Sequence, residues 1–112
     1  MTTIRLIIVD DHPVVREGLR GMLASQPDFE VAGAAPDGVS GVALAEQVMP
    51  DVVLMDLRMP GGDGVSAIAE LKARGNPARV LVLTTYDSDA DIVRAVEAGA
   101  TGYLLKDAPR EE

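Results

Sequence analysis

The sequence predicts an α/β domain in which helices cover both faces of a five-stranded parallel sheet. Short, continuous apolar runs alternate with longer segments of helical periodicity, and such runs are typical of strands that are buried on both faces. Alternating strands and helices favour parallel pairing with right-handed crossovers. The chain has 112 residues, which suits one modest core, and no repeat, linker or low-complexity stretch divides it. We therefore predict one doubly wound domain.

The first half of the chain predicts three strands and two helices. Pro13 suits the first turn of the first helix, because its missing N–H would have no partner there. Asp37 can cap a second helix that runs to about Val48, although Gly38 and Gly41 weaken that helix. The predicted strands are Ile4–Val9, Phe29–Ala35 and Val52–Asp56, and the residues expected on one face of the first helix are Val15, Leu19, Met22 and Leu23.

The second half predicts two helices and two strands. A glycine-rich loop at 59–64 precedes the third helix, which Gly75, Asn76 and Pro77 end. Asp87 or Ser88 can cap the fourth helix, and Gly99 lies where a C-terminal cap is expected. The residues at helical spacing are Val65, Ile68, Leu71 and Lys72, then Ile92, Val93 and Val96, and the strands are Arg79–Thr84 and 101–105.

Composition excludes several classes of protein. No apolar stretch approaches the roughly 20 residues of a membrane span, and the amino terminus lacks the pattern of a signal peptide. The absence of cysteine excludes disulfides and thiolate metal sites and suits the cytoplasm. A net charge of −8 argues against nucleic-acid binding through this domain, since such binding needs a basic face.

Charged residues follow three of the predicted strands. Asp10 and Asp11 follow the first strand, Asp56 ends the third, and Lys106 follows the fifth. Ligands collect where parallel strands end at their carboxyl side, so these groups are expected at one edge of the sheet. Carboxylates that lie so near one another repel unless a cation lies among them. Oxygen ligands suit Mg²⁺, which also binds phosphate oxygens readily. The pattern therefore predicts a magnesium-dependent phosphoryl site.

Four motifs carry a resemblance to a known family. They are residues 9–13 (VDDHP), 53–60 (VLMDLRMP), 83–85 (LTT) and 99–107 (GATGYLLKD). In order and spacing they resemble the receiver domain of two-component response regulators, in particular the branch with a helix-turn-helix output domain. The resemblance implies a flavodoxin-like sheet of strand order 2-1-3-4-5, phosphorylation by a histidine kinase, and homodimerisation of the phosphorylated form.

The resemblance also implies the roles of the acidic residues. Asp56 is expected to accept the phosphoryl group, as carboxylate nucleophiles do when they form acyl phosphates. Asp11 and Asp56 would hold Mg²⁺ with the backbone carbonyl of Arg58, and Asp10 would support them. The domain would catalyse only this transfer to itself and would not be an enzyme for other substrates.

Three further residues have expected roles and one does not. Lys106 would contact a phosphate oxygen as a flexible point charge, and the Thr84 hydroxyl would donate to the phosphoryl group. Tyr103 resembles the family's switch aromatic, which turns inward when that threonine moves. His12 is interpreted as a residue of the loop that opens the first helix, not as a metal ligand or phosphate carrier.

Two features depart from the family pattern. Asp107 follows Lys106 where a proline with a cis bond is common, and a cis bond before a non-proline residue costs about 3–4 kcal/mol. The sequence also stops at Glu112, where the fifth helix would be missing or only begun. We therefore interpret residues 1–112 as a receiver domain truncated before that helix, in a transcription regulator whose output domain is absent.

Three other classes of function compete with the receiver interpretation. A haloacid-type phosphatase needs a general acid two residues after the nucleophile, and Arg58 cannot serve as one. A flavodoxin-type flavin site needs a Ser/Thr-rich phosphate loop and aromatic side chains, whereas aromatics make up only 3% of this chain. A phosphorylation-independent pseudo-receiver, acting as an interaction module, should lack an acid or the lysine. None is missing, so the receiver interpretation is favoured, and the pseudo-receiver remains the alternative.

Overall fold

Strands and helices alternate throughout the computed structural model, which describes residues 3–56, 64–84 and 89–105. The strands are β1 Ile4–Val9, β2 Phe29–Ala35, β3 Val52–Asp56, β4 Arg79–Thr84 and β5 Gly102–Leu105. The helices are α1 Pro13–Ala24, α2 Gly38–Val48, α3 Gly64–Ala73 and α4 Asp89–Ala98. Across these three stretches, no helix combines the length and the apolar character that crossing a membrane requires. The predicted caps at Asp87 or Ser88, the Lys106–Asp107 bond and the start of a fifth helix lie outside the described residues.

All five strands form one parallel sheet in the order β2-β1-β3-β4-β5. This confirms the predicted flavodoxin-like fold class and its strand order. β1 and β3 are paired at the centre with Val9 opposite Met55, so the residue after β1 lies beside Asp56, the last residue of β3. The register between β1 and β2 shifts between Leu6 and Ile7.

The central strands bury both of their faces, as their continuous apolar runs predict. Ile7 and Val9 belong to the larger core cluster, which includes residues of α2, α3 and α4. Leu6 and Ile8 point the opposite way, because side chains alternate along a strand, and they join a smaller cluster against α1. The other buried members of the larger cluster include Ala45, Val53, Met55, Ile68, Leu71, Val80, Val82 and Ala95.

The amphipathic faces of α1 and α4 pack through fewer residues than periodicity suggests. On α1, Leu19 and Leu23 pack against the smaller cluster, whereas Met22 is 62% exposed. On α4, the small Ala95 is buried while Val93 and Val96 are exposed. Among the described side chains of α4, Ala95 and Ala98 pack against the core, whereas Val93 and Val96 face water.

Candidate functional site

Two buried carboxylates lie side by side at the carboxyl edge of the sheet. Asp10 follows β1 and Asp56 ends β3, and because these strands are adjacent and parallel their ends coincide. The Asp10 residue is 0% exposed and Asp56 is 3% exposed, although carboxylates are seldom buried in proteins. The backbone N–H of Asp10 donates to the carbonyl of Ala35 at the end of β2, over 3.1 Å, which fixes the turn out of the sheet.

Asp11 and His12 complete the cluster from the turn between β1 and α1. The backbone N–H of His12 donates to Oδ1 of Asp10 over 2.8 Å, and His12 Nδ1 lies 3.0 Å from the same oxygen. The ring nitrogen also lies 3.0 Å from Oδ1 of Asp11 and 4.0 Å from Oδ2 of Asp56. The loop position predicted for His12 is confirmed, since it is the residue that precedes α1, but its side chain turns into the acidic cluster.

Arg16 also supports the acidic cluster, a role that the sequence did not predict. Its Nη1 donates to the backbone carbonyl of Asp10 over 2.7 Å, and its backbone N–H donates to the carbonyl of His12. Both contacts hold the turn that carries the acids. Arg16 lies four residues after His12, and residues four apart lie on one side of a helix. This spacing could have indicated that Arg16 lies near the turn that carries the acids.

The structure places some of the predicted site residues and leaves others outside its described part. Asp10, Asp11 and Asp56 are brought together as predicted. The backbone of Thr84 ends β4, one residue after the partner of Asp56 in the sheet register, and Tyr103 lies on β5 opposite Val82. The side chains of Thr84 and Tyr103 are not among those described, and Arg58 and Lys106 lie outside the described residues altogether.

The donor atoms of the cluster fit a divalent cation. One ligand atom from each of Asp10, Asp11, His12 and Asp56 lies within 4.8 Å of the others. Oδ1 of Asp11 is buried and accepts no hydrogen bond from the described part of the chain, although the His12 ring is 3.0 Å away. Carboxylates this close repel one another, and a cation among them would turn that repulsion into attraction.

Fold and site together define a flavodoxin-like α/β domain with an acidic ligand site at the carboxyl edge of its sheet, where this class of fold binds ligands. Residues 6–112 match the family described as the response regulator receiver domain. The chain therefore belongs to the family of response regulator receiver domains, as the sequence motifs predicted.

Curated relatives support the same family. The transcriptional regulatory protein LiaR of Bacillus subtilis (strain 168) is 44% identical over 109 residues, which are 97% of this chain and 52% of LiaR. The nitrate/nitrite response regulator protein NarL of Escherichia coli (strain K12) is 37% identical over 107 residues, 96% of this chain and 50% of NarL. The chain thus spans about half the length of the curated relatives that it matches.

Solved structures agree in fold. The signal receiver domain of the putative response regulator NarL from Mycobacterium tuberculosis superposes with a TM-score of 0.91 at 38% identity, covering 97% of this chain and 88% of that one. A two-component response regulator of the LuxR family from Aurantimonas sp. SI85-9A1 gives a TM-score of 0.89 at 37% identity, covering 96% and 76%. These likenesses favour the receiver over the phosphatase and flavin-binding alternatives.

Proposed function

We propose that residues 1–112 form a phosphoacceptor receiver domain, which takes a phosphoryl group from a histidine kinase onto Asp56 and then switches a protein-interaction surface. The observation that carries the proposal is the grouping of the nearly buried Asp56 with Asp10 and Asp11 at the carboxyl edge of the sheet. Membership of the receiver-domain family supports it.

The proposed step is an in-line displacement at phosphorus. A carboxylate oxygen of Asp56 attacks the phosphorus of a phosphohistidine, so that a P–O bond forms while the P–N bond to the donor imidazole breaks. The imidazole leaves with the electron pair of that bond and takes up a proton from water. Bound Mg²⁺ would supply charge neutralisation and orientation of the phosphoryl oxygens.

Each site residue has a proposed part in this step. Asp11 and Asp56 would hold the metal together with the backbone carbonyl of Arg58, and Asp10 would support them through its position beside Asp56. Lys106 would bind one phosphoryl oxygen, and the Thr84 hydroxyl would donate to another. These assignments rest on the family motifs and on the placement of Asp10, Asp11 and Asp56.

The proposed output is a change of surface and of partner. Movement of Thr84 toward the phosphoryl group would let Tyr103 turn inward, which alters the surface formed by α4 and β5 and promotes a homodimer. The whole protein would be a cytoplasmic regulator that controls transcription through a helix-turn-helix domain outside these 112 residues. This domain itself would bind neither nucleic acid nor membrane.

Phosphorylation of the purified chain tests the proposal. With Mg²⁺ and acetyl phosphate, intact-mass measurement should show one added phosphoryl group that is labile to base, as acyl phosphates are. Asp56→Asn should abolish the adduct, and Asp11→Asn should slow its formation roughly tenfold or more by removing a metal ligand. Asp28→Asn, an exposed acid just before β2 at the other edge of the sheet, is the matched control and should react like the wild type.

Two outcomes would contradict this assignment. A phosphoryl group retained by a folded Asp56→Asn variant would mean that another residue is the acceptor. A folded wild-type chain that never reacts, with either acetyl phosphate or a phosphorylated kinase, would favour the phosphorylation-independent interaction module.

A further inference from the structure

We infer that His12 is an additional ligand of the acidic cluster for imidazole-preferring divalent metals such as Co²⁺, Ni²⁺ and Zn²⁺, and that its nitrogen raises the affinity of the site for these metals without contributing to the binding of Mg²⁺. The inference rests on the proposed function, because it takes Asp11 and Asp56 as metal ligands. It adds a nitrogen donor and a change of metal preference to that site.

The backbone directs the His12 ring toward the cluster and not toward the helix. His12 is the residue before α1 and has an extended backbone, with φ −96° and ψ 108°, but its side chain makes no capping hydrogen bond to the helix. Pro13, the first residue of α1, has no N–H to offer. The His12 N–H is held by Oδ1 of Asp10, and this contact anchors the imidazole beside the acids.

The distances are close to those of a single coordination sphere. Nδ1 of His12 lies 3.0 Å from a carboxylate oxygen of both Asp10 and Asp11, and all four ligand atoms fall within 4.8 Å. Ligand atoms about 2.1 Å from one ion are at most about 4.2 Å apart. Closing the widest pair of donors onto one ion therefore takes a shift of roughly half an ångström.

A nitrogen donor changes which metals the site prefers. An all-oxygen set suits Mg²⁺, whereas imidazole suits Zn²⁺ and Ni²⁺, and affinities for nitrogen-containing sites rise along the first transition row. The His12 side chain is 59% exposed, so the imidazole lies on the solvent side of the cluster. Without a metal ion, these contacts are those of hydrogen bonds between the imidazole and the carboxylates. A metal titration distinguishes such hydrogen bonding from coordination of a metal by His12.

His12 is the only histidine of the chain, so its ring signals need no assignment by elimination. The experiment uses the untagged chain, since a histidine tag would add competing imidazoles. Calorimetry would give the affinities for Mg²⁺ and Co²⁺, and NMR of the imidazole C–H groups would follow addition of Zn²⁺. His12→Gln removes the nitrogen ligand, and Asp11→Asn removes an oxygen ligand that every metal should need.

The expected result has three parts. His12→Gln should weaken Co²⁺ binding roughly tenfold or more while changing Mg²⁺ affinity less than about twofold, because only the metals that favour nitrogen use the imidazole. The imidazole signals should shift with Zn²⁺. Asp11→Asn should weaken the binding of both metals.

The failures of the two proposals are distinguishable. Normal Mg²⁺ binding with an unshifted imidazole, and Co²⁺ affinity equal in wild type and His12→Gln, would overturn the role of His12 and leave the proposed function intact. Co²⁺ binding that depends on His12, without any Mg²⁺ binding, would support the nitrogen ligand and contradict the magnesium assignment. Absence of binding by both metals would overturn both.

Discussion

A close contact between α2 and β1 lies next to the acidic cluster. Val9 is fully buried immediately before Asp10, and Gly41 of α2 lies against it. A Cβ built on Gly41 would stand 2.8 Å from Cγ2 and 2.9 Å from Cγ1 of Val9, closer than real contacts allow. The absence of a side chain at Gly41 therefore lets α2 approach β1 closely at the level of the site.

Gly41→Ala should destabilise the fold although alanine favours helices. Overpacking against an immobile strand valine costs about 1–3 kcal/mol, which outweighs the gain of up to about 1 kcal/mol in helix propensity. We expect the free energy of unfolding in urea to fall by roughly 1–2 kcal/mol. Gly21→Ala on α1 is the matched control, since its Cβ would meet nothing within 4 Å, and it should stabilise the chain. Equal effects of the two substitutions would contradict the close approach of α2.

At the scale of elements, the amino terminus of α2 is capped by a side chain. Asp37 precedes α2 with an extended backbone, and its Oδ1 accepts hydrogen bonds from the backbone N–H and from the hydroxyl of Ser40, both over 2.8 Å. The hydrogen bond from the Ser40 backbone, followed by that from its hydroxyl, lowers the pKa of Asp37 below its ordinary value of 3.8. The cap therefore stabilises α2 most when Asp37 is ionised.

The pH dependence of this cap follows from the sign of the shift. A carboxyl group whose pKa is lower in the folded state contributes its full stability above the unfolded pKa of 3.8 and loses it as the pH falls through the folded value. We expect Asp37→Ala to lower the thermal midpoint at neutral pH, and the difference from wild type to shrink below about pH 4. Asp37→Asn caps the helix without titrating and should lose less stability than wild type over that acidic window. A difference between wild type and Asp37→Ala that does not change with pH would contradict this account.

At the scale of the whole molecule, the negative net charge of the chain predicts how it behaves toward nucleic acid. The 112 residues carry 18 acidic and 10 basic side chains, and the relatives they match are about twice as long and include transcriptional regulatory proteins. A surface of this charge repels the phosphate backbone. Under the proposed function, contact with DNA is therefore expected from residues outside these 112.

The chain alone should show no measurable affinity for duplex DNA at physiological salt. Anisotropy of a labelled duplex would measure this, and a full-length relative that carries an output domain is the positive control. Salt-sensitive binding by the 112 residues themselves would contradict the proposed division of labour.

The sequence by itself determined the elements, their order and the residue types at the edge of the sheet. Short, continuous apolar runs bounded by turn residues predicted strands that are buried on both faces. The strand order that the family resemblance implied, and that the sheet has, places β1 beside β3, so the acids after these two strands meet at one edge. The sequence also predicted the N-terminal cap at Asp37 and the C-terminal cap at Gly99, whose φ is +121°. Both caps depend on the local chemistry of the backbone and of one residue.

Only the tertiary structure decided how side chains outside the strands are used. Periodicity places Met22, Val93 and Val96 on apolar faces, but packing leaves all three exposed. The contact of Gly41 with Val9 and the turn of the His12 ring into the acidic cluster depend on distances between segments that are far apart in sequence or joined by a tight turn. The periodicity of a helix or strand in the sequence shows which residues share a face. How deeply that face is buried, and which way a loop side chain points, depend on the elements that pack around it.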